Sequence, residues 1–185
     1  MLKKDPYMKK IITMALVVLF AVGGVQAQHC GHHGNGGHCG RHQQAQQVAA
    51  PRVNADGIAI EIANAFPTVK SVKKAEKWTE VYDGSKKLLG YAVYSKPASD
   101  GIKGYAGETP VMIALSPKKV ILSVELLPNA ETPGYVNRVT AAGFLNSWNG
   151  LTVKKAKKKQ VDTVSGATFT SRAVIQSVHA ALNTL

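Results

Sequence analysis

The chain has 185 residues, 45% of them hydrophobic, and a formal net charge of +12. This length leaves room for one domain with its own core, and the ordinary apolar content excludes a wholly disordered chain. A basic balance admits nucleic acid, an anionic membrane surface or an acidic partner. No helix-turn-helix, RNP-type aromatic sequence or zinc-finger spacing accompanies the lysines, so nucleic acid is not expected as a partner.

Lys9 and Lys10 precede an apolar run from Ile11 to Val25, followed by Val25-Gln26-Ala27. This is the pattern of a secretory signal with cleavage after Ala27, and Met8 offers an alternative start. The run is short for a spanning helix, yet retention as a membrane anchor is the competing reading. Either way, residues 1–27 are a signal peptide or anchor, and the folded domain is expected outside the cytoplasmic membrane, periplasmic or exported. A lipoprotein is not indicated, because Ala27-Gln28-His29 is a poor lead into Cys30.

Residues 28–52 form a Gly/His/Cys- and Gln-rich segment too poor in apolar residues to bury a core, so it is expected to be flexible. His29, Cys30, His32, His33, His38, Cys39 and His42 are candidate ligands for a transition metal such as zinc, copper or nickel. In an oxidising compartment Cys30 and Cys39 could instead form a disulfide, or the tract could be a plain solvated linker. No Cys-x-x-Cys-His run points to attached haem.

The ordered domain is read as residues 53–185. Asn54 or Asp56 caps a helix that places Ile58, Ile62, Ala65 and Phe66 on one face, and Pro67 stops it. Val69 to Val81 alternates with lysines and ends in the hairpin signal Asp83-Gly84. Lys87 to Lys96 reads as a strand, and Asp100-Gly101 breaks the chain. Pro110 to Ser116 and Val120 to Leu127 read as an antiparallel pair turned by Ser116-Pro117-Lys118. Pro128 and Pro133 frame a loop before a helical pattern from Val136 to Trp148, weakened by Gly143. Thr152 and Val153 begin a short strand, and Lys154 to Lys159 form a solvated edge or turn. A last helix from Arg172 to Leu185 aligns Val174, Ile175, Val178, Ala181 and Leu182. The expected class is α+β, a single domain of antiparallel strands with flanking helices.

The segment Asp162-Thr163-Val164-Ser165-Gly166-Ala167-Thr168-Phe169-Thr170-Ser171 stands before that last helix. A small-residue turn feeding a helix start suits a phosphate, because the first helical amides lack internal partners and the helix dipole favours negative charge there. An ordinary helix cap by Thr170 or Ser171 explains the same hydroxyls.

This segment resembles the flavinylation motif of the FMN-binding domain family. The family includes the C subunit of the sodium-pumping NADH:quinone oxidoreductase and the G subunit of the Rnf complex. Two further matches stand in order: Glu131-Thr132-Pro133-Gly134, similar to the family's loop beside the isoalloxazine ring, and Gly104-Tyr105-Ala106-Gly107. The resemblance runs from about Val81 to Leu185. It implies FMN joined through a phosphoester to Thr168. Asp162, Ser165, Gly166 and Ala167 would be read by a modifying flavin transferase, and Glu131, Thr132, Pro133 and Gly134 would line the ring. Tyr135 departs from the small or aliphatic residue that often follows that glycine in the family.

Ordinary roles stand beside these. Thr132 can cap a turn, Glu131 can be a surface carboxylate, Tyr105 can pack on the sheet or on the ring, Trp78 and Trp148 can stack on a flavin or be core or surface residues, and His179 can be a ligand or a packed or solvated helix residue. No nucleophile–base pair or dinucleotide fingerprint is present, so no catalytic residue is expected. The resemblance implies an electron carrier between redox proteins or within a membrane electron-transfer complex, rather than a stand-alone enzyme. The alternatives are a metal-binding exported protein acting through the tail, or a flavin-dependent reductase of a small acceptor.

Overall fold

The computed structural model describes residues 52–185. The leader and the His/Cys tract, with its metal and disulfide expectations, lie outside the described residues.

The framework is a five-stranded antiparallel sheet in which spatial order equals chain order: β1 (Ser71–Lys74), β2 (Thr79–Tyr82), β3 (Leu88–Tyr94), β4 (Val111–Leu115) and β5 (Ile121–Leu126). Short turns make this meander. The β2–β3 turn is held by Asp83, whose Oδ1 accepts from the amides of Ser85 and Lys87. The residue in the left-handed region is Lys86 (φ 60°), not Gly84, so the expected hairpin forms with a longer turn than Asp83-Gly84 alone implies. In the β4–β5 turn Lys119 takes the same conformation (φ 56°), and Ser116 Oγ accepts from the Val120 amide. The lysine-bearing run expected from Val69 to Val81 is two strands, separated where the Ala75 amide donates to the Trp78 carbonyl.

Apolar side chains leave the sheet on both faces, so helices cover both. On one face Ile62 of α1 (Ile60–Ala65) and Phe66, the residue after the helix, pack over Val81, Ala92, Met112 and Ala114. On the other, α2 (Pro133–Ala141), a 3₁₀ turn (Phe144–Trp148) and α4 (Thr168–Asn183) cover Val93, Ile113, Leu115, Ile121 and Val124. β4 lies under both layers, and all five of its residues are buried. Gly90 permits this close stacking: a Cβ there would collide with the Leu115 carbonyl and crowd the Phe66 ring.

Four expectations need correction. Asn54 does not cap α1; its Oδ1 accepts from the amides of Asp56 and Ile58 and closes a local turn, and the helix starts after Ala59. The helix expected from Val136 to Trp148 is two pieces, because Gly143 (φ 64°) ends α2 and opens the 3₁₀ turn. Thr152 makes only an isolated bridge to Val120, and Val153–Ala156 is a short helix, α3, capped by Thr152 Oγ1. The last helix starts at Thr168, one turn earlier than expected.

Candidate functional site

Three segments distant in sequence meet at the start of α4. The first is the tip of the β3–β4 connection. Its base is tied by Glu108, whose carboxylate accepts from Lys96 Nζ and from the Gly101 amide, and by a bridge between Lys103 and Glu108. The Lys96 bond, then the Gly101 amide, hold the Glu108 carboxyl below the usual carboxylate range. Within the tip, the Gly104 amide donates to the Gly107 carbonyl and closes a tight turn that carries Tyr105.

The second segment is the loop leading into α2. Glu131 is 5% exposed. Its Oε1 accepts from the amides of Ala106 (3.0 Å) and Thr132 (3.1 Å), and Oε2 accepts from the Gly107 amide at 3.4 Å. The carboxylate therefore latches the 104–107 tip to the 131–134 loop; it is not a surface group. Gly104 makes the latch possible, because a Cβ there would collide with Glu131 Oε2 and press on Thr170 Cα. Thr132 stands at the N-cap position of α2, but its hydroxyl makes no cap bond; its carbonyl accepts from the amides of Tyr135 and Val136. Pro133 occupies the first turn, where its missing N–H costs nothing. Gly134 is exposed, with open space where a side chain would stand.

The third segment is the turn before α4. Gly166 adopts φ +72°, and a Cβ there would collide with the Arg138 guanidinium. Ala167 is the N-cap and no side chain caps the helix, so neither Thr170 nor Ser171 is the expected cap. Ser171 Oγ instead turns back to the carbonyls of Ala167 and Thr168 and accepts from the Val164 amide. Thr168 is the first helical residue and is exposed, as are Asp162 and Ser165.

A cleft of about 240 Å³ opens between these segments, lined by Tyr105, Tyr135, Gly166, Ala167, Thr168, Phe169 and Thr170. Tyr105 does not pack on the sheet. Its ring stands edge-on to Tyr135, with centroids 5.1 Å apart, and is 65% exposed; Phe169 is 63% exposed. Thr170 is 1% exposed, and its Oγ1 has no hydrogen-bond partner among the described residues. Uncapped amides, an orphaned hydroxyl and exposed aromatic rings are what a phosphate-bearing planar group requires of its site.

Residues 104–183 match the FMN-binding domain family. The matched segment starts at the Gly104 turn and ends with α4, so it contains all three walls of the cleft. Among curated relatives, the chain is 29% identical over 147 residues to the G subunit of the Na(+)-translocating ferredoxin:NAD(+) oxidoreductase complex of Acetobacterium woodii, covering 71% of this chain and 63% of that one. It is 27% identical over 128 residues to the G subunit of the proton-translocating ferredoxin:NAD(+) oxidoreductase complex of Clostridium ljungdahlii, covering 65% and 66%. To the G subunit of the ion-translocating oxidoreductase complex of Stutzerimonas stutzeri it is 36% identical over 90 residues, covering 43% and 40%. The chain thus spans less than two thirds of the length of these relatives. A crystal structure of Shewanella oneidensis NqrC aligns with TM-score 0.41 at 23% identity, covering 69% of this chain and 70% of that one.

The remaining candidates fall outside the cleft. Trp148 is fully buried against Phe144, and Trp78 packs on Tyr91 beneath Lys119 Nζ. His179 lies far along α4. Among the described residues no three His, Cys, Asp or Glu side chains gather to hold a metal, and no helix is long and apolar enough to cross a membrane. Sequence reasoning missed Arg138 and Phe169. Phe169 was visible inside the motif, whereas Arg138 reaches the site only through the packing of α2 on α4.

Proposed function

We propose that the chain is an exported flavoprotein electron carrier that holds FMN through a phosphoester to Thr168 and serves a membrane electron-transfer complex. The observation that carries this reading is the position of Thr168. Its residue is exposed, at the first position of an uncapped helix, in the wall of an aromatic-rimmed cleft, within the segment that matches the FMN-binding domain family.

FMN, when bound, supplies reversible electron transfer at its ring. The chain's own residues would do the rest. Exposure of Thr168 leaves its hydroxyl within reach of a modifying flavin transferase, with Asp162 and Ser165 beside it as exposed determinants. Gly166 and Ala167 keep the approach free of bulk, and the first amides of α4 offer unpaired donors to a phosphate. Tyr105, Tyr135 and Phe169 supply flat apolar surface at the mouth of the cleft. Glu131 directs its carboxylate to backbone amides, so its part is to hold the Tyr105 tip against the Thr132–Gly134 loop. Membrane redox partners and a location outside the cytoplasmic membrane are inferred from the relatives, which are G subunits of ion-translocating complexes, and from the signal-like leader.

Intact-mass spectrometry after co-expression with a flavin transferase tests the reading. Wild type should gain about 438 Da, FMN less water, and keep its yellow colour on denaturation, while Thr168→Ala gains nothing. An equal gain by both chains would refute the site, and an unmodified wild type would refute the function.

A further inference from the structure

We infer that the lysine-rich end of the sheet is a docking surface for an anionic phospholipid membrane, and that it leaves the cleft, at the opposite end, open to solvent. The inference goes beyond the function proposed above and does not depend on the flavin.

The meander brings the β2–β3 and β4–β5 turns to one end of the sheet. The first carries Lys86 and Lys87, the second Lys118 and Lys119. A further lysine run joins the β4–β5 turn from far along the chain. Val120 bridges Thr152, the Ile121 amide donates to the Leu151 carbonyl at 2.8 Å, and the Val153 amide donates to the Lys119 carbonyl at 3.4 Å. These bonds set Lys154 and Lys155 of α3, and the turn with Lys157 to Lys159 after it, beside Lys118 and Lys119. Lys118, Lys119, Lys154, Lys155 and Lys158 are exposed. The ion pairs among the described residues use Lys70 and Lys96, and none of these lysines enters one. The one carboxylate in the two turns, Asp83, accepts from the amides of Ser85 and Lys87. Lys86 and Lys119 are also the two non-glycine residues of the described chain with positive φ. Glycine takes that conformation without the cost an L side chain bears, so both turns hold a cation against the local backbone preference.

Like charges gathered in this way repel, and an anionic surface relieves the repulsion. The character of the patch selects which surface. Its cations are all lysines, strongly hydrated point charges on flexible stems, whereas protein interfaces and nucleic-acid sites favour the planar arginine fork and deplete lysine. Trp78, the ring beneath Lys119 Nζ, is half-buried and packed on Tyr91, so it is not a free aromatic anchor for a partner protein. Diffuse lysine charge without such anchors matches phosphate headgroups spread over a bilayer. Position argues the same way. β4 leads from the connection that carries Tyr105 to the β4–β5 turn, so its five residues, at about 3.4 Å each, separate the lysines from the cleft. A protein exchanging electrons with a group in the cleft must approach the other end.

The experiment is sedimentation of the full chain with phosphatidylcholine vesicles and with phosphatidylcholine–phosphatidylglycerol vesicles at low ionic strength. The neutral vesicles report whatever the apolar leader contributes. Binding to the anionic vesicles should be tighter by about tenfold or more, and high salt should remove the difference. Combining Lys154→Gln, Lys155→Gln and Lys158→Gln should abolish most of that preference. Combining Lys73→Gln, Lys74→Gln and Lys77→Gln removes the same charge around the β1–β2 turn, at the cleft end of the sheet, and should leave most of it. Arginine at 154, 155 and 158 should keep it. Amide hydrogen exchange of the vesicle-bound chain should slow at 118–119 and 154–159, and not at 104–107 or 166–170. Equal binding to both vesicles, equal losses in the two glutamine triples, or protection at the cleft instead each overturn the proposal. Loss of binding in the arginine triple overturns it as well, since charge is then not the cause. Capture of soluble polyglutamate in preference to the anionic vesicles would assign the patch to an acidic protein and overturn it too. Flavin attachment at Thr168 is read by mass, so either idea can fail while the other stands.

Discussion

Glu131 places a carboxylate where burial disfavours charge, and three backbone amides make the position tolerable. Removing the side chain leaves the Ala106 and Thr132 amides without that acceptor. Glu131→Ala should cost about 1–3 kcal/mol, the usual penalty for orphaned buried donors. In a domain of this size that is a fall in melting temperature of roughly 4–11 °C. Glu131→Gln should also destabilise, because its amide group must face a backbone N–H. Thermal melts of the two variants check this, and an unchanged melting temperature for Glu131→Ala would remove the latch from the account. The Glu-Thr-Pro-Gly string was readable in the sequence, but the burial of Glu131 was not. The amides that bury it come from residues 106 and 107, some 25 positions upstream. Arg138 was hidden for the same reason: no local pattern links it to Gly166.

Among the elements, β5 carries an edge-strand carboxylate with a measurable signature. Burial raises the Glu125 carboxyl above the ordinary range, and the negative charge of Glu61 pushes the same way. A carboxyl raised by folding binds its proton more tightly in the folded chain than in the unfolded one. Its contribution is therefore fully present below the unfolded value and lost as pH rises through the folded value. At neutral pH the folded protein bears the penalty of a partly desolvated charge. Glu125→Gln should raise the melting temperature at pH 7, and the gap should close as pH falls through the range in which Glu125 protonates. A gap that is constant with pH would assign the gain to packing instead. The strand itself was legible, as were β3, β4 and the antiparallel pairing of β4 with β5, because compact apolar runs bounded by turn residues leave few alternatives. Helix starts were not. Around α4 the hydroxyls of Thr170 and Ser171 were the candidates for the capping role, yet Ala167 takes it and Ser171 folds back on the preceding turn. Side-chain bonds within a turn are set by rotamers that sequence spacing does not record.

At the scale of the described domain, the sheet separates two cores. Ile62 of α1 and Phe66 just after it belong to one, while Val174, Val178 and Leu182 of α4 belong to the other, and the two share no side chain. They are joined only through the backbone of the sheet, above all β4, whose residues alternate between them: Val111, Ile113 and Leu115 face α4, while Met112 and Ala114 face α1. Perturbations on the two faces should therefore add in free energy while the unfolding transition stays single. Ile62→Val should cost about 0.5–1.5 kcal/mol and Leu182→Ala about 2–5 kcal/mol. The double variant should show the sum to within about 0.5 kcal/mol, as independent sites do. A coupling well above that would mean the faces communicate by side-chain repacking. A split transition would mean that α4, and with it the cleft at its start, melts apart from the α1 face. Denaturant unfolding followed by far-UV signal and by tryptophan fluorescence distinguishes these outcomes, because Trp148 and Trp78 both pack on the α4 side of the sheet. Coincident curves are expected, since a strand buried on both sides cannot lose one cover without exposing apolar surface that the other cannot shield.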